Sequence, residues 1–441
     1  MYLLQKNTGR MLPRFTNVIF YKAPIPCCKM RYLRKILPRI SAMTVHSRNF
    51  ISDKPVVVLG IETSCDDTGC GIVNSNGTIL GEAIHSQQII HLNNGGIIPP
   101  IARDLHSKHI TEICENALNS ANMKLRDVDA IAATVKPGLP QSLLIGTKFG
   151  KYLSKIGRKP FIPIHHMEAH ALTARMVHKV DFPFLVLLIS GGHCLLALVE
   201  KVDKFYLLGA SIDDAPGEAF DKVARRSKLH NIPDFYDICS GAALEIAATR
   251  ATDPEQFYFP PSLCQYRNCN FSFAGIKSRA IYHLIKEEKR HNIVGDSIIP
   301  DIYNLCAAFQ MAISRHICNR TQRAMEYIQM KNLLPMENKT LVVSGGVACN
   351  NFIANALNII CSEMGYNLVR PPPKLCTDNG IMVAWNGVER YMANSDILTN
   401  PEDIEKVDIN QKAPLGENWI ERVTEANLKC KWIQIKKLYA K

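Results

Sequence analysis

His166 and His170 stand four residues apart in the stretch PIHHMEAH (163–170), with Glu168 between them. On a helix that spacing is one turn, so both rings leave the same face and can close on one metal ion. A zinc peptidase of the His-Glu-x-x-His type places its glutamate beside the first histidine, where it activates a metal-bound water. Here the order is His-x-Glu-x-His. At about 100° per residue, Glu168 lies roughly 200° around the helix from His166 and points away from any ion the histidines hold. The pair suits a metal, but the glutamate is misplaced as its base. Two histidines merely packed or solvated at a helix start remain the alternative on this evidence.

Asp378, in CTDNG directly before an apolar helical pattern, is the remaining candidate ligand. One carboxylate added to two imidazoles leaves coordination positions open, as a catalytic metal centre requires. An ordinary helix N-cap would put the same residue there. Asp221, in EAFDKVAR, reads equally as a solvated helix carboxylate or as an acceptor for a ligand hydroxyl.

Three turns of small residues follow apolar runs: TSCDDTG (63–69), SGGH (190–193) and SGGVACN (344–350). Glycine lets a ligand approach backbone N–H groups, and a helix after the third turn offers its positive end to a phosphate. One such turn is weak evidence, whereas three point to a nucleotide cleft between two lobes. The chain has neither a Walker A loop nor Gly-x-Gly-x-x-Gly, so P-loop and dinucleotide-binding readings fall away. Hairpins flanked by Asp66 and Asp67 suggest instead the cleft of actin, Hsp70 and the sugar kinases.

The elements that must carry these residues alternate. Residues 54–73 read as strand, loop, strand; 109–121 is helical, 128–135 a strand, Pro137-Gly138 a turn and 142–155 a helix, which is an α/β pattern. The run from Phe182 to Val199 repeats the opening device, as a duplicated two-lobe fold would. It approaches membrane-span length but is broken by Ser190, Gly191, Gly192 and His193, so no membrane span is expected. Residues 252–300 read as polar and irregular, and Cys264 and Cys269 within them are too isolated to argue for a metal site. Helix returns at 301–330, a strand, Gly-Gly turn and helix fill 339–357, and the last long helix is 381–393.

The chain has 441 residues, 47% hydrophobic and 21% charged, enough for two or three globular domains. Its net charge of +12 has a local origin. Residues 1–52 hold ten of the 52 Lys and Arg and no acid, which leaves 42 basic against 40 acidic residues in the remainder. The body is therefore not a strongly basic nucleic-acid binder, and the run Arg225, Arg226, Lys228 reads by default as solvated helix charge. The acid-free head, with MRYLRKILPRISAM, has the composition of a mitochondrial transit peptide, with SRNF (47–50) as a processing region. A basic arm retained on the mature protein is its rival. Fifteen cysteines, an odd number without any Cys-x-x-Cys, fit reduced thiols rather than a disulfide scaffold or a zinc ribbon.

The motifs VLGIETSCDDTG, HHMEAH, LLISGGH, DDAPGEAFDKVA, FSFAGIKS, SGGVACN and PPPKLCTDNGIMVAWNG occur together in this order. Over about 55–395 the chain resembles the TsaD family of tRNA threonylcarbamoyltransferases, and with its basic head it is similar to their mitochondrial members. The resemblance implies an α/β, two-lobed actin-like fold (the ASKHA, Hsp70 and sugar-kinase type) with a nucleotide cleft between the lobes. It implies a transit peptide over 1–52, a first lobe over 55–175 completed by the helix at 378–395, a second lobe over 180–376, and a C-terminal tail over 396–441. The implied reaction moves a threonylcarbamoyl group from threonylcarbamoyl-AMP to the exocyclic amine of the adenosine beside the anticodon, in mitochondrial tRNAs reading codons that begin with adenine. His166, His170 and Asp378 then hold one divalent ion per subunit, iron or zinc, and no general base is assigned. Ile189, Ser190, Gly191, Gly192, His193, Asp221, Gly241 and Asn350 then line the adenylate site. An upstream threonylcarbamoyl-AMP synthase, a homodimer and a matrix location complete the expectation.

Three positions depart from the family pattern: Ser240 stands for the first glycine of a Gly-Gly pair, Lys136 for a glycine, and Pro100 for an acidic residue. A small-molecule kinase of actin-like fold and a non-catalytic tRNA-binding scaffold are the competing readings, with a metalloprotease weakest.

Overall fold

The apolar, β-branched stretch VVLGIE forms β1 (Val57–Glu62), buried along its whole length between neighbours on both edges. The structure is a computed structural model and describes residues 54–94, 96–435 and 438. The proposed transit peptide lies outside the described residues.

β2 (Asp67–Asn74) and β3 (Ile79–Ser86) fold back antiparallel, while β4 (Ala130–Lys136) and β5 (Phe161–His165) run parallel on the other side of β1. The resulting order is β3-β2-β1-β4-β5. The second sheet repeats it. β6 (Phe184–Ile189), β7 (Cys194–Lys201) and β8 (Lys204–Ala210) are antiparallel neighbours, and β9 (Thr340–Ser344) and β10 (Asn367–Val369) lie parallel beyond β6. With β11 (Glu417–Asn418) paired to β8, the order is β10-β9-β6-β7-β8-β11. Apart from β11 the two orders correspond strand for strand, so the echo between 54–73 and 182–199 reflects a repeated lobe.

Parallel neighbours need crossover connections, which here are helices. In the first half these are α1 (Gln88–Asn93), α2 (Pro99–Ser120) and α3 (Pro140–Gly157), followed by α4 (His166–Val177) after β5. The second half inserts α5 (Pro216–Arg226), α6 (Ser240–Thr249), α7 (Ala274–Arg290) and α8 (Ile302–Lys331) before β9, then α9 (Asn351–Met364) before β10. After β10 come α10 (Pro373–Cys376), α11 (Gly380–Met392), α12 (Pro401–Lys406) and α13 (Ile420–Glu425).

The helices after the last parallel strands are exchanged. α4 leaves the first sheet and packs on β6 and β9, while α11 leaves the second sheet and lies on β1 and β2. The two pack on each other, and Trp385 of α11 donates its Nε1–H to Leu172 O of α4 at 3.1 Å. Met167, Leu172, Met382 and Trp385 share one apolar core with Val58 and Ile164 of the first sheet and Leu188 and Val342 of the second. Glycine permits this contact, since a Cβ at Gly60 would stand 2.2 Å from Ala384 N.

One reading of the sequence changes, and the C-terminal tail gains detail. Residues 252–300 contain the 17-residue helix α7, whose buried positions Ile276, Ala280, Leu284 and Glu287 recur every three or four residues. Its exposed Lys, Arg and Glu residues hide that stripe in the average composition. Residues 396–441 include an ordered strap across both lobes. Leu398 pairs with Phe161 through backbone bonds of 2.8 and 2.9 Å, Asn410 N donates to Val135 O at 3.0 Å, and Trp419 stacks on Tyr206 of β8 with centroids 4.0 Å apart. Among the described residues no helix is long and apolar enough to cross a membrane.

Candidate metal centre

The two exchanged helices start at the same place, and their first turns carry the candidate ligands. His165 caps α4: its backbone is extended and its Nδ1 accepts Met167 N–H at 3.2 Å. The proton therefore sits on Nε2, which donates to Pro414 O of the strap at 3.3 Å. Burial, with Lys136 and His166 adding to it, pushes His165 down to about 3 and keeps it neutral. Asn379 caps α11, its Oδ1 accepting Met382 N–H at 2.8 Å. The cap reading for Asp378 is thus replaced, because the neighbour fills that role.

Asp378 Oδ1 lies 3.0 Å from His170 Nε2 and 3.6 Å from His166 Nε2, and the two rings meet edge to face, 4.7 Å apart. One ligand atom from each of the three residues falls within 4.8 Å of the others. Burial would raise the Asp378 carboxyl, yet His166 and His170 hold it well below the usual carboxylate range. For His166, burial opposes the charged ring, but Asp378 and Glu62 outweigh it and raise the imidazole to about 9.

Glu62, at the end of β1, was not singled out in the sequence. Its Oε2 is 3.2 Å from His166 Nδ1 and accepts Thr134 Oγ1–H at 2.6 Å, while Oε1 accepts Ser64 N–H at 2.5 Å. Ser64 Oγ lies 3.1 Å from the same imidazole nitrogen. Burial would raise this carboxyl too, but His166 lowers it below its ordinary value. A carboxylate on the far nitrogen of a ligand histidine fixes the ring's orientation. The visible signal was an acid closing an apolar strand, but its partner is 104 residues away.

The donor set fits a divalent metal ion. Two Nε2 atoms and a carboxylate oxygen converge on one point, and His166 is oriented through its other nitrogen. His170 Nδ1 is buried without a partner among the described residues, so that ring is engaged through Nε2 alone. Glu168 faces the opposite way and bonds Arg390, as its place on the helix predicts.

The first turn is held from behind by His106 of α2, which donates from Nε2 to Cys65 O at 3.0 Å and lies 2.7 Å through Nδ1 from Thr68 Oγ1. The sequence reading missed His106 as well. Burial pushes the Asp67 carboxyl up to about 7, with Asp66, Asp378 and Glu62 adding to the rise. The second turn is closed by Ser190 N–H to His193 O at 2.9 Å and His193 N–H to Ser190 Oγ at 3.1 Å. His193 is pushed down to about 4 by burial, with His166 and His170 reinforcing it and Asp378 opposing. Gly191 and Gly192 are exposed, with open space where a Cβ would stand. Gly345 of the third turn, at φ +97°, comes so close to Ile189 that a Cβ would stand 2.4 Å from Ile189 O.

Asp221 lies on α5, Gly241 on α6 and Asn350 at the cap of α9. Asn350 Oδ1 accepts Ile353 N–H and its Nδ2 donates to Gln310 Oε1, both at 2.9 Å. Glu245 of α6 accepts Asn351 N–H at 2.7 Å, joining α6 to the start of α9. Ser240 Oγ is 3.3 Å from His230 Nε2, and the Cβ direction of Gly241 is open. Burial raises Asp221, with Arg225 and His230 opposing. Lys136 ends β4, and Pro100 lies in the first turn of α2. The basic run is not free solvated charge: Arg226 makes two 2.6 Å bonds to Glu288, and Lys228 bonds the carbonyls of Gly295 and Ser297.

The profile of one family, described as TsaD, tRNA N6-adenosine threonylcarbamoyltransferase, matches residues 78–385. The mitochondrial tRNA N6-adenosine threonylcarbamoyltransferases of Mus musculus and Homo sapiens are each 46% identical, over 90% of this chain and 94% of theirs. The tRNA N6-adenosine threonylcarbamoyltransferase of Rickettsia massiliae is 41% identical over 78% of this chain and 95% of its own. The profile takes in β3 to β10 and all three candidate ligands, and the relatives align over most of the chain. On these grounds the chain belongs to the TsaD family.

Proposed function

We propose that this protein is a mitochondrial tRNA N6-adenosine threonylcarbamoyltransferase, taking its donor as threonylcarbamoyl-AMP and acting on the exocyclic amine of the adenosine beside the anticodon. The observation that carries this reading is the convergence of His166, His170 and Asp378 where the exchanged helices begin, beside turns with open glycines.

The donor is a mixed anhydride, already activated, so the protein's task is to hold it and to bring a weakly nucleophilic amine into line. Backbone N–H groups at Gly191 and Gly192 suit its phosphate, and Asp221 suits a ribose hydroxyl. Ile189, Ser190, His193, Gly241 and Asn350 complete the adenylate site in this reading. Asn350 has its side chain committed to the α9 cap and Gln310, so its contribution is to shape the wall. His166, His170 and Asp378 would hold an iron or zinc ion, which would supply Lewis-acid stabilisation of developing charge. Glu62 and Ser64 hold His166 in the orientation this needs, and His193 stays neutral beside it.

The head over 1–52 is a transit peptide in this reading, and the naming of the animal relatives as mitochondrial supports it. The mature enzyme works in the matrix as a homodimer, downstream of a threonylcarbamoyl-AMP synthase that it need not touch.

The test is reconstitution: purified protein with threonine, bicarbonate, ATP, an adenylate-forming partner enzyme and unmodified mitochondrial tRNA. Threonylcarbamoyladenosine in the digested tRNA is the expected product. ADP release with a phosphorylated metabolite and no modified nucleoside would give the assignment to a kinase. Unchanged modification by the His166→Ala, His170→Ala double variant would remove the metal centre from the reaction.

A further inference from the structure

Two cysteines that the proposed reaction does not use meet behind the candidate ligand loops. Cys349 ends the short 3₁₀ turn Gly346–Cys349 that follows β9, and Cys376 is the last residue of α10, which packs on that turn. Their thiols are close enough that each is the leading influence on the other's ionisation. Cys349 Sγ also lies 3.7 Å from Pro373 O, and Cys376 Sγ lies 3.3 Å from Pro371 O. Cys349 is half-buried and reachable, whereas Cys376 is fully buried. Arg370 spans the same turn, donating to Ala348 O at 2.8 Å and Asn351 Oδ1 at 3.1 Å, and so sets a guanidinium beside Cys349.

We propose that Cys349 and Cys376 form a reversible disulfide when the protein meets hydrogen peroxide, tethering the turn before Asn350 to the loop before Asp378. An accessible thiol with a second thiol in contact and a cation alongside is the arrangement of an attacking and a resolving cysteine. The neighbouring Cys376, helped by Arg370 and opposed by burial, pushes Cys349 down to about 7, so a large share is thiolate near neutral pH. A second thiol pair provides a contrast: Cys70 and Cys114 are both buried, and Cys114 together with burial pushes the Cys70 thiol far up.

In the first step the Cys349 thiolate attacks one peroxide oxygen, the O–O bond breaks, and hydroxide leaves with the sulfenic acid formed on Cys349. In the second, the Cys376 sulfur attacks the sulfenic sulfur; the S–S bond forms, the S–O bond breaks, and the hydroxyl departs as water with the thiol's proton. Two thiols are oxidised and one peroxide is reduced to two waters. The resulting S–S bond of about 2.0 Å joins segments that lead directly to Asn350 and Asp378.

The experiment needs no transferase assay, so its outcome is independent of the proposed function. The full chain is exposed to equimolar hydrogen peroxide at pH 7.5, remaining thiols are blocked with N-ethylmaleimide, and peptides are mapped without reduction. The expected result is a peptide pair linked through Cys349 and Cys376, lost on adding dithiothreitol, with Cys70 and Cys114 still alkylated or unreacted as thiols. Amide exchange in the peptide covering 370–380 should slow at least severalfold in the oxidised form. In the Cys376→Ser variant the link is absent and dimedone labels Cys349; in Cys349→Ser neither product forms. A Cys349 that goes to sulfinic acid in the unmodified chain without the linked peptide, or that links to a different cysteine, overturns the proposal.

Discussion

Arg390 Nη2 donates to Glu168 Oε2 at 2.6 Å, and the pair clamps α11 to α4 with both side chains buried. Asn386 Oδ1 and Asp396 engage the rest of the guanidinium. The glutamate that gives the histidine motif its protease look is thus a fastener between the exchanged helices. Replacing Glu168 with Ala leaves the buried guanidinium with Asp396 as its remaining carboxylate and should cost about 2 kcal/mol of stability. Urea unfolding should report that loss while metal analysis of the folded variant still finds one equivalent. Loss of the metal at undiminished stability would contradict the assigned role.

Glu62 should matter to metal affinity more than to fold. The Glu62→Gln variant keeps the shape but weakens the acceptor facing His166 Nδ1, and removal of such a partner typically lowers affinity about 10- to 100-fold. Competition with a chelator measures the shift. His170→Ala removes one of the three candidate ligands and should leave less than about a tenth of the metal bound at a concentration that saturates the unmodified protein.

The seam between β1 and α11 has no room for a methyl group. A Cβ at Gly60 would stand 2.2 Å from Ala384 N and 2.5 Å from Gly380 O, both backbone atoms that cannot swing aside. Gly60→Ala should therefore cost about 3 kcal/mol or more and shift the denaturation midpoint downward. The matching change at Gly192, where the Cβ direction is open, should leave stability within about 0.5 kcal/mol.

His316 makes stability depend on pH. Its Nε2 accepts Ser272 N–H at 3.0 Å beside the rings of Phe271 and Phe273. Burial, then Arg320 and Arg315, push it from 6.5 down to about 3. The unfolded chain binds this proton first, so the contribution is whole above pH 6.5 and is lost as pH falls from there toward 3. The slope from this one residue approaches about 1.4 kcal/mol per pH unit. Unfolding at pH 7 and pH 5 should show His316→Gln flattening the dependence relative to the unmodified chain.

The strand runs, the turns at 63–69, 190–193 and 344–350, and the histidine spacing were legible because each is local: period, β-branching and small residues announce themselves within a dozen positions. α7 was not, because its charged face dominates the average and its stripe is only four residues. Glu62 and His106 escaped for a different reason. Each acts on a partner 41 to 104 residues distant, and no periodicity encodes which buried acid or imidazole will face which loop. Asp378 was read as cap or ligand, and only the dihedral and hydrogen bond of Asn379 separate those roles.

The exchange of α4 and α11 also bears on how the chain comes off the ribosome. Strands β1 and β2 are made early, but the helix that seals their inner face begins at Gly380. For most of synthesis the first sheet is an open, apolar plate whose lid does not yet exist. Its closure demands contacts more than 300 positions apart, an arrangement that favours late, slow docking and dependence on chaperones. A gene split in the linker between α4 and β6 would yield two halves each missing the other's cover, soluble together and prone to aggregate alone.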